Sequence, residues 1–478
     1  MSNNSRFFFV LLSSSAALGI GNIWLFPYYS FKFSAVFFIQ YLAALAILGV
    51  PLLMLEFSAA QYFNRNAVDL FASIRKWFSS IGWLLVFNAF IVMSCYAVIL
   101  SWHMIYLFVS FGQQWKKDAK SYFFNNVLQA SGGFHGFGQF SLPVFMALIL
   151  AWVIIFFCIR KGFEGMKKYF LALFPVFISL LFLFFGYSLH LEKALTGIYA
   201  FIRPDFSLML MPAAWTAAFS LSAASLGLSF GMMGAFARKS EGNFIAGASL
   251  IVAASKIIIS IAAGFILFSM LGFLNFGENN AVELQDFSFT FAYLAQALPM
   301  FYRPALLSLL FFTFLGIFFV FGASALAYSI SNVLVHKFKT SHRSAAVITS
   351  GFGFLFGMLF IIKPGVYILD IASHFIFYNI VIAALLEVIA VGWFSNSEDI
   401  SDFINHGIAL KIGRAWRWWI RYPAPLILVL LIIAHLRSDY LLNYNGYPFP
   451  AVLAFGAGIV AIPLIAAFLM PQKLLDRK

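Results

Sequence analysis

The chain has 478 residues, 63% of them hydrophobic and 10% charged, with a mean hydropathy of +0.94; a typical soluble domain is roughly 45–50% apolar and 25% charged. That excludes a soluble enzyme, an intrinsically disordered chain and an outer-membrane barrel, whose strands alternate polar and apolar residues over about ten positions, and leaves an all-α polytopic membrane protein. The formal charge of +13 reads first as a topology signal, because cationic residues collect in cytoplasmic loops, and it calls for no nucleic-acid partner.

A bilayer core about 30 Å thick takes roughly 20 apolar residues per helix. On that measure the sequence predicts twelve spans, numbered helices 1 to 12 below, at about 7–28, 35–62, 82–111, 141–160, 168–190, 212–237, 245–275, 304–335, 344–362, 369–394, 422–438 and 449–470. With the N-terminus inside, 20 of the 30 Lys and Arg fall on the cytoplasmic side, nine outside and one, Lys256, within helix 7. Both termini are therefore expected in the cytoplasm, and the chain in the inner (plasma) membrane with lipid around it. Arg6 followed by the apolar run Phe7–Leu12 has the outline of a signal peptide, but removing it would leave an odd number of spans. Cys95 and Cys158 lie in apolar runs with no Cys/His cluster near them, so neither a disulfide framework nor a metal cluster is expected. No nucleophile setting or nucleotide-binding motif is present, so an enzyme is not expected.

Helix 1 contains Ala16-Ala17-Leu18-Gly19-Ile20-Gly21-Asn22-Ile23-Trp24-Leu25-Phe26-Pro27, which interrupts an otherwise good helix with two glycines, an Asn and a Pro. Unpaired backbone at membrane depth survives only where it faces protein or a water-filled cavity, and there it offers carbonyls to a cation and amides to a carboxylate. The alternative is a Gly-rich packing face with a kink. Helix 6 repeats the pattern five helices later in Ser225-Leu226-Gly227-Leu228-Ser229-Phe230-Gly231. Paired interruptions in two halves of a chain point to a transporter site at a repeat interface.

These motifs resemble those of the neurotransmitter:sodium symporters, especially the bacterial members. Gly19 through Tyr28 is similar to the family's first-helix signature, and Gly49-Val50-Pro51-Leu52-Leu53-Met54-Leu55-Glu56 with Gln61-Tyr62 to its second. Ser94-Cys95-Tyr96 with Ser101-Trp102, Phe230-Gly231, Ala263-Gly264-Phe265 through Gly272-Phe273, and Leu386-Glu387-Val388 through Trp393-Phe394 follow in family order. The resemblance implies the leucine-transporter fold: one transmembrane domain over 1–478, with helices 1–5 (about 7–190) and helices 6–10 (about 212–394) as a 5+5 inverted repeat. Helices 1 and 6 would be unwound, and helices 11 and 12 (about 422–470) accessory.

For the substrate, the resemblance implies a pocket in which a carboxylate meets Tyr96 and the amides at Gly19 and Gly21, with Ala17, Val92, Ser225, Gly227, Phe230 and Tyr328 completing the walls. The bulk of Tyr328 suggests a small amino acid or amine. The first sodium site would use Ala17, Asn22 and Ser225, and at the family's spacing its helix 7 position falls on Lys256; a register shift of one would put Ser255 or Ile257 there. A lysine at mid-membrane costs roughly 2.5–3.5 kcal/mol and needs a partner. Its ammonium is expected to take the place of the sodium, bonded to Asn22, Ser225 and the substrate's carboxylate or an anion.

The second sodium site would rest on the carbonyls of Ser15 and Leu18 and on Ser324, the neighbouring Ala323 having lost its oxygen. An anion site for chloride would use Tyr41, Ser225 and Ser260, with Leu221 at the family's Gln position. Leu25 stands where the family carries an Arg, leaving Asp370 without that partner, and His336-Lys337 replaces an acidic end of helix 8. Glu56 and Glu387 are expected to bind the backbone of the broken helices rather than to carry protons.

The function these residues point to is secondary transport of a small amino acid or amine by alternating access, with Na⁺ coupling put in question by Lys256 and Cl⁻ use open. No other cofactor is expected, and a second copy of the chain stays open as a partner. The alternative is a solute sensor or degenerate family member that binds without transporting.

Overall fold

The computed structural model describes residues 3–19, 21–240, 244–275, 288–405, 412–442 and 444–470, with the side chains of Asn3, Asn4, Asn22, Leu441 and Leu442 outside the description. Four of the cytoplasmic cations counted above, Lys411, Lys473, Arg477 and Lys478, lie outside the described residues.

Among the described residues, ten helices are long and apolar enough to cross a bilayer: Val36–Phe63, Lys76–Val109, Leu142–Ile159, Gly162–Leu189, Ile245–Phe273, Pro304–Phe338, His342–Phe360, Gly365–Phe394, Gly413–Gly446 and Phe449–Leu469. The two remaining spans are the ones the sequence marks as broken. Helix 1 runs Asn3–Ala16, stops, resumes as a π-turn at Gly21–Leu25 and ends as Phe26–Lys32. Helix 6 runs Pro212–Ser225 and restarts at Met232–Ala237. The described residues hold no strand beyond one isolated bridge between Phe140 and Ile362.

Local chemistry sets several boundaries. Ser141 and Ser341 cap helices 4 and 9 by accepting the amides of Val144 and Ser344, satisfying donors that a helix start leaves unpaired. Pro51 has no N–H and its ring clashes with the preceding turn; the π-turn Leu45–Gly49 just before it absorbs the mismatch.

Helices 3 and 8 form the most buried pair and pack along each other at the centre. The outer helices turn apolar side chains outward; Phe182 in helix 5 is 70% exposed and Ile462 in helix 12 is 68% exposed. An apolar exterior of this extent belongs in lipid rather than water. Shorter helices lie where the sequence reading has loops, among them Ala67–Ile74, Ala194–Ile202 and Ser397–Asn405 between spans and Gly413–Arg421 at the start of the stretch that continues as helix 11. The last is strongly amphipathic, with Trp416 and Trp419 donating their indole N–H to the carbonyls of Pro51 and Ile47 while Arg414 faces outward.

Candidate functional site

The break in helix 6 is built from left-handed backbone. Gly227 (φ +73°), Ser229 (φ +61°) and Gly231 (φ +66°) alternate through it. Glycine takes this conformation freely, whereas for Ser229 it costs roughly 1–2 kcal/mol. At Gly227 space matters as well, since a Cβ there would lie 2.0 Å from the Met232 Cε.

Polar backbone exposed at membrane depth must find partners, and the neighbours supply them. The Lys256 ammonium donates to the Ser225 carbonyl oxygen at 2.5 Å. The Ser229 amide donates to Glu56 Oε1 at 2.6 Å, Asn88 donates to the Ser229 carbonyl at 3.4 Å, and the Ser329 hydroxyl donates to the Phe230 carbonyl at 2.9 Å. The polarity is the favourable one: a cation meets the C-terminal end of the first half-helix, and a carboxylate meets an amide just before the second begins. Glu56 thus does bind broken-helix backbone, and Lys256, buried at 1% exposure, has found a carbonyl.

Ser225 meets two of the other predicted ion residues, Tyr41 and Lys256. Its hydroxyl lies 3.2 Å from the Tyr41 hydroxyl, its carbonyl receives Lys256, and a Cβ built on Gly21 would stand 3.0 Å from its Cβ. Of the residues considered for the helix 7 position, Lys256 reaches Ser225, whereas Ser255 points to Ser14 of helix 1, hydroxyl to hydroxyl at 3.0 Å. Asn22 is placed by its backbone in the π-turn, and its side chain lies outside the description. Ser260 lies one turn beyond Lys256 with its hydroxyl buried and without a hydrogen-bond partner among the described residues.

A small cavity opens between the two breaks. Ala17, Gly19, Gly21, Val92, Tyr96, Ser225, Gly227 and Phe230 line it, joined by Ala16, Leu18, Ala224, Met232, Gly322 and Leu326. The Tyr96 hydroxyl is turned to the helix 1 break, where a Cβ on Gly19 would stand 2.7 Å from it, and the ring lies against Gly322 and edge-on to Phe319.

Two predicted residues of helix 8 lie elsewhere, for one reason. With 3.6 residues per turn, Gly322 and Leu326 share the cavity face, and positions two residues further on point away from it. Tyr328 stacks on Phe236 (6.0 Å, 5°) and packs near Phe163, outside the cavity lining. Ser324 has the Cys158 thiol of helix 4 as its neighbour. The residue that faces the Leu18 carbonyl is Gly322, whose Cβ would lie 3.4 Å from that oxygen. Ser15 is fully buried, and its carbonyl already accepts the Leu18 amide at 3.2 Å.

The ends of the bundle are held by contacts the sequence did not indicate. Asp370, lacking an Arg in helix 1, accepts from Tyr444 (3.1 Å), Asn445 (3.0 Å) and Tyr447 (3.0 Å) beyond helix 11. At the opposite end Lys337 pairs with Asp69, and Arg238 donates to Asn332 and meets His336. Asn88 and Ser329 are the other site residues missed; a buried Asn or Ser in an apolar helix was the available signal.

Comparison with known proteins follows the same line. A sequence model of the sodium:neurotransmitter symporter family matches residues 2–119 and 113–475. An uncharacterised sodium-dependent transporter of Methanocaldococcus jannaschii is 28% identical, over 98% of this chain and 97% of that protein. The sodium-dependent nutrient amino acid transporter 1 of Drosophila willistoni is 24% identical, over 95% of this chain and 82% of that protein. The sodium- and chloride-dependent GABA transporter ine of Drosophila melanogaster is 28% identical, over 94% of this chain and 52% of that protein. With two broken helices meeting at one cavity and a family match running nearly end to end, this chain belongs to the sodium:neurotransmitter symporter family.

Proposed function

We propose that the protein is a secondary transporter of a small amino acid or amine that works by alternating access around helices 1 and 6, with the amine of Lys256 standing in for the first sodium ion. The observation that carries this is the bond from Lys256 to the Ser225 carbonyl at the edge of the cavity. A fixed ammonium there supplies the positive charge that a sodium would bring, and it leaves a substrate carboxylate at Tyr96 and Gly19 with a nearby cation. The substrate class is supported by the size of the cavity and by the names of the Drosophila relatives.

Helix 8 offers Gly322 rather than a hydroxyl toward the Leu18 carbonyl, which leaves the second sodium site short of the oxygens a hard cation needs. An anion site at Tyr41, Ser225 and Ser260 belongs to the same proposal, as do the inverted repeat of helices 1–5 and 6–10 and cytoplasmic termini in the inner membrane.

The test is uptake of a radiolabelled amino-acid panel into proteoliposomes under a sodium gradient, a proton gradient or neither, repeated with Lys256→Asn. The expected result is uptake that persists without sodium in the unmodified protein and becomes sodium-dependent in the variant. Equal dependence on sodium in both would overturn the stand-in, and binding without any uptake would replace the transporter with a solute sensor.

A further inference from the structure

A second cavity lies on the other side of the helix 6 break, lined by small residues of helices 2 and 6 (Ala59, Ala60, Gly231, Gly234) and reaching Arg65, Asn66 and Asn332. Arg65 is exposed, and Asn332 accepts from Arg238. The cavity therefore leads toward the end of the bundle held by Arg238 and the Lys337–Asp69 pair, the end the distribution of cations places inside.

At its floor stand two carboxyl groups, Glu56 of helix 2 and Glu387 of helix 10, 7% and 3% exposed. Both reach the same residue. Ser229 donates its amide to Glu56 Oε1, and its hydroxyl is the neighbour of Glu387. Glu56 Oε2 and Glu387 Oε1 are buried without a hydrogen-bond partner among the described residues. The other groups around the pair from helices 3, 8 and 10 are neutral: Asn88, Asn379, Ser329 and Asn332. Besides the two carboxyl groups, the charged side chain lining the cavity among the described residues is Arg65, at its open end.

Two carboxylates in one low-dielectric site cannot both ionise at low cost, and a proton held between them is the simplest relief. We propose that Glu56 and Glu387 share one proton, exchanged with the inner solution through this cavity, and that this proton is a coupling ion of transport. On uptake a hydronium ion gives its proton to one carboxylate and leaves as water, so the charge of the pair goes from −2 to −1. The consequence for movement lies in Ser229. The linker from Ser225 to Ser229 is held by Lys256 at one end and by Glu56 at the other, so a change of charge on the pair alters the hold on the same linker that shapes the substrate cavity. The coupling role rests on the transport function proposed above; the proton itself does not.

The experiment is infrared spectroscopy of the purified protein in lipid nanodiscs, with the glutamates carbon-13 labelled, titrated across the neutral range in water and in heavy water. A protonated glutamate band of one-proton amplitude that moves on labelling and on deuteration is expected, lost in Glu387→Gln and shifted but kept in Ser229→Ala. Absence of the band, or its full survival in both Glu387→Gln and Glu56→Gln, overturns the shared proton. In proteoliposomes, uptake of the amino-acid panel is expected to respond to a proton gradient in the unmodified protein, while Glu387→Gln loses that response and keeps exchange of internal for external label. An unchanged response in Glu387→Gln overturns the coupling role and leaves the infrared result to stand or fall by itself.

Discussion

Gly21 and Ser225 come so close that the second half of helix 1 and the first half of helix 6 meet at a hydrogen atom where any other residue would place a Cβ. Gly21→Ala would bring a Cβ 3.0 Å from the Ser225 Cβ and 3.1 Å from the Leu221 Cδ1. Overpacking of this kind costs about 1–3 kcal/mol, so a lowered thermal midpoint in detergent and loss of most uptake are expected. Tyr96→Phe makes the opposite point, since the ring keeps its place on Gly322 and Phe319 while the hydroxyl aimed at the helix 1 break goes. A lost hydrogen bond to a charged group is worth about 1.5–3 kcal/mol, so about tenfold or more weaker substrate affinity at unchanged thermal stability is expected, read from competition binding with the amino-acid panel. At this scale the two helix breaks were legible. Glycines, an Asn and a Pro inside an apolar run have few explanations, and Lys256 at mid-membrane announces its need for a partner. Tyr328 and Ser324 were not legible, because helix 8 is apolar on every side and the sequence offers no stripe to fix which face meets the cavity.

The broken helices behave as elements whose ends are owned by their neighbours. Asn88 of helix 3 is fully buried and bridges the Ser229 carbonyl of helix 6 to the Asn379 carbonyl of helix 10. Asn88→Ala strands the Ser229 carbonyl, which lies in the break, at about 1–3 kcal/mol, and removes the tie to helix 10. A fall in thermal midpoint is expected, larger than that for Asn396→Ala, whose amide meets the exposed Asp399. Hydropathy found every long span to within several residues, including both broken ones, because a bilayer demands length and apolarity together. It passed over Ala67–Ile74, Ala194–Ile202, Ser397–Asn405 and Gly413–Arg421, since eight or nine amphipathic residues lie below any window set by membrane thickness. Gly413–Arg421 shows the difficulty, with three arginines among three tryptophans.

For the whole molecule, the excess of cations at one end predicts orientation. A single cysteine at Lys239 should be labelled by a membrane-impermeant maleimide only after the cells are opened, and one at Lys117 in intact cells. Cys95 and Cys158 are buried and should stay silent in both assays. The reverse pattern would invert the topology and with it the side from which the second cavity is reached. Helix 10 adds a mechanical feature. Asp370, His374 and Tyr378 follow one another at a spacing of one turn, and all three are engaged by helix 11 or the segment after it, His374 and Tyr378 through Asp439 and Asp370 through Tyr444, Asn445 and Tyr447. A lever needs a fulcrum that does not travel with the arm. With helix 10 riveted along one edge to its outer neighbours, helices 10 and 11 would serve the proposed transport cycle as the frame, and its stroke would fall to helices 1 and 6, which are jointed in the middle.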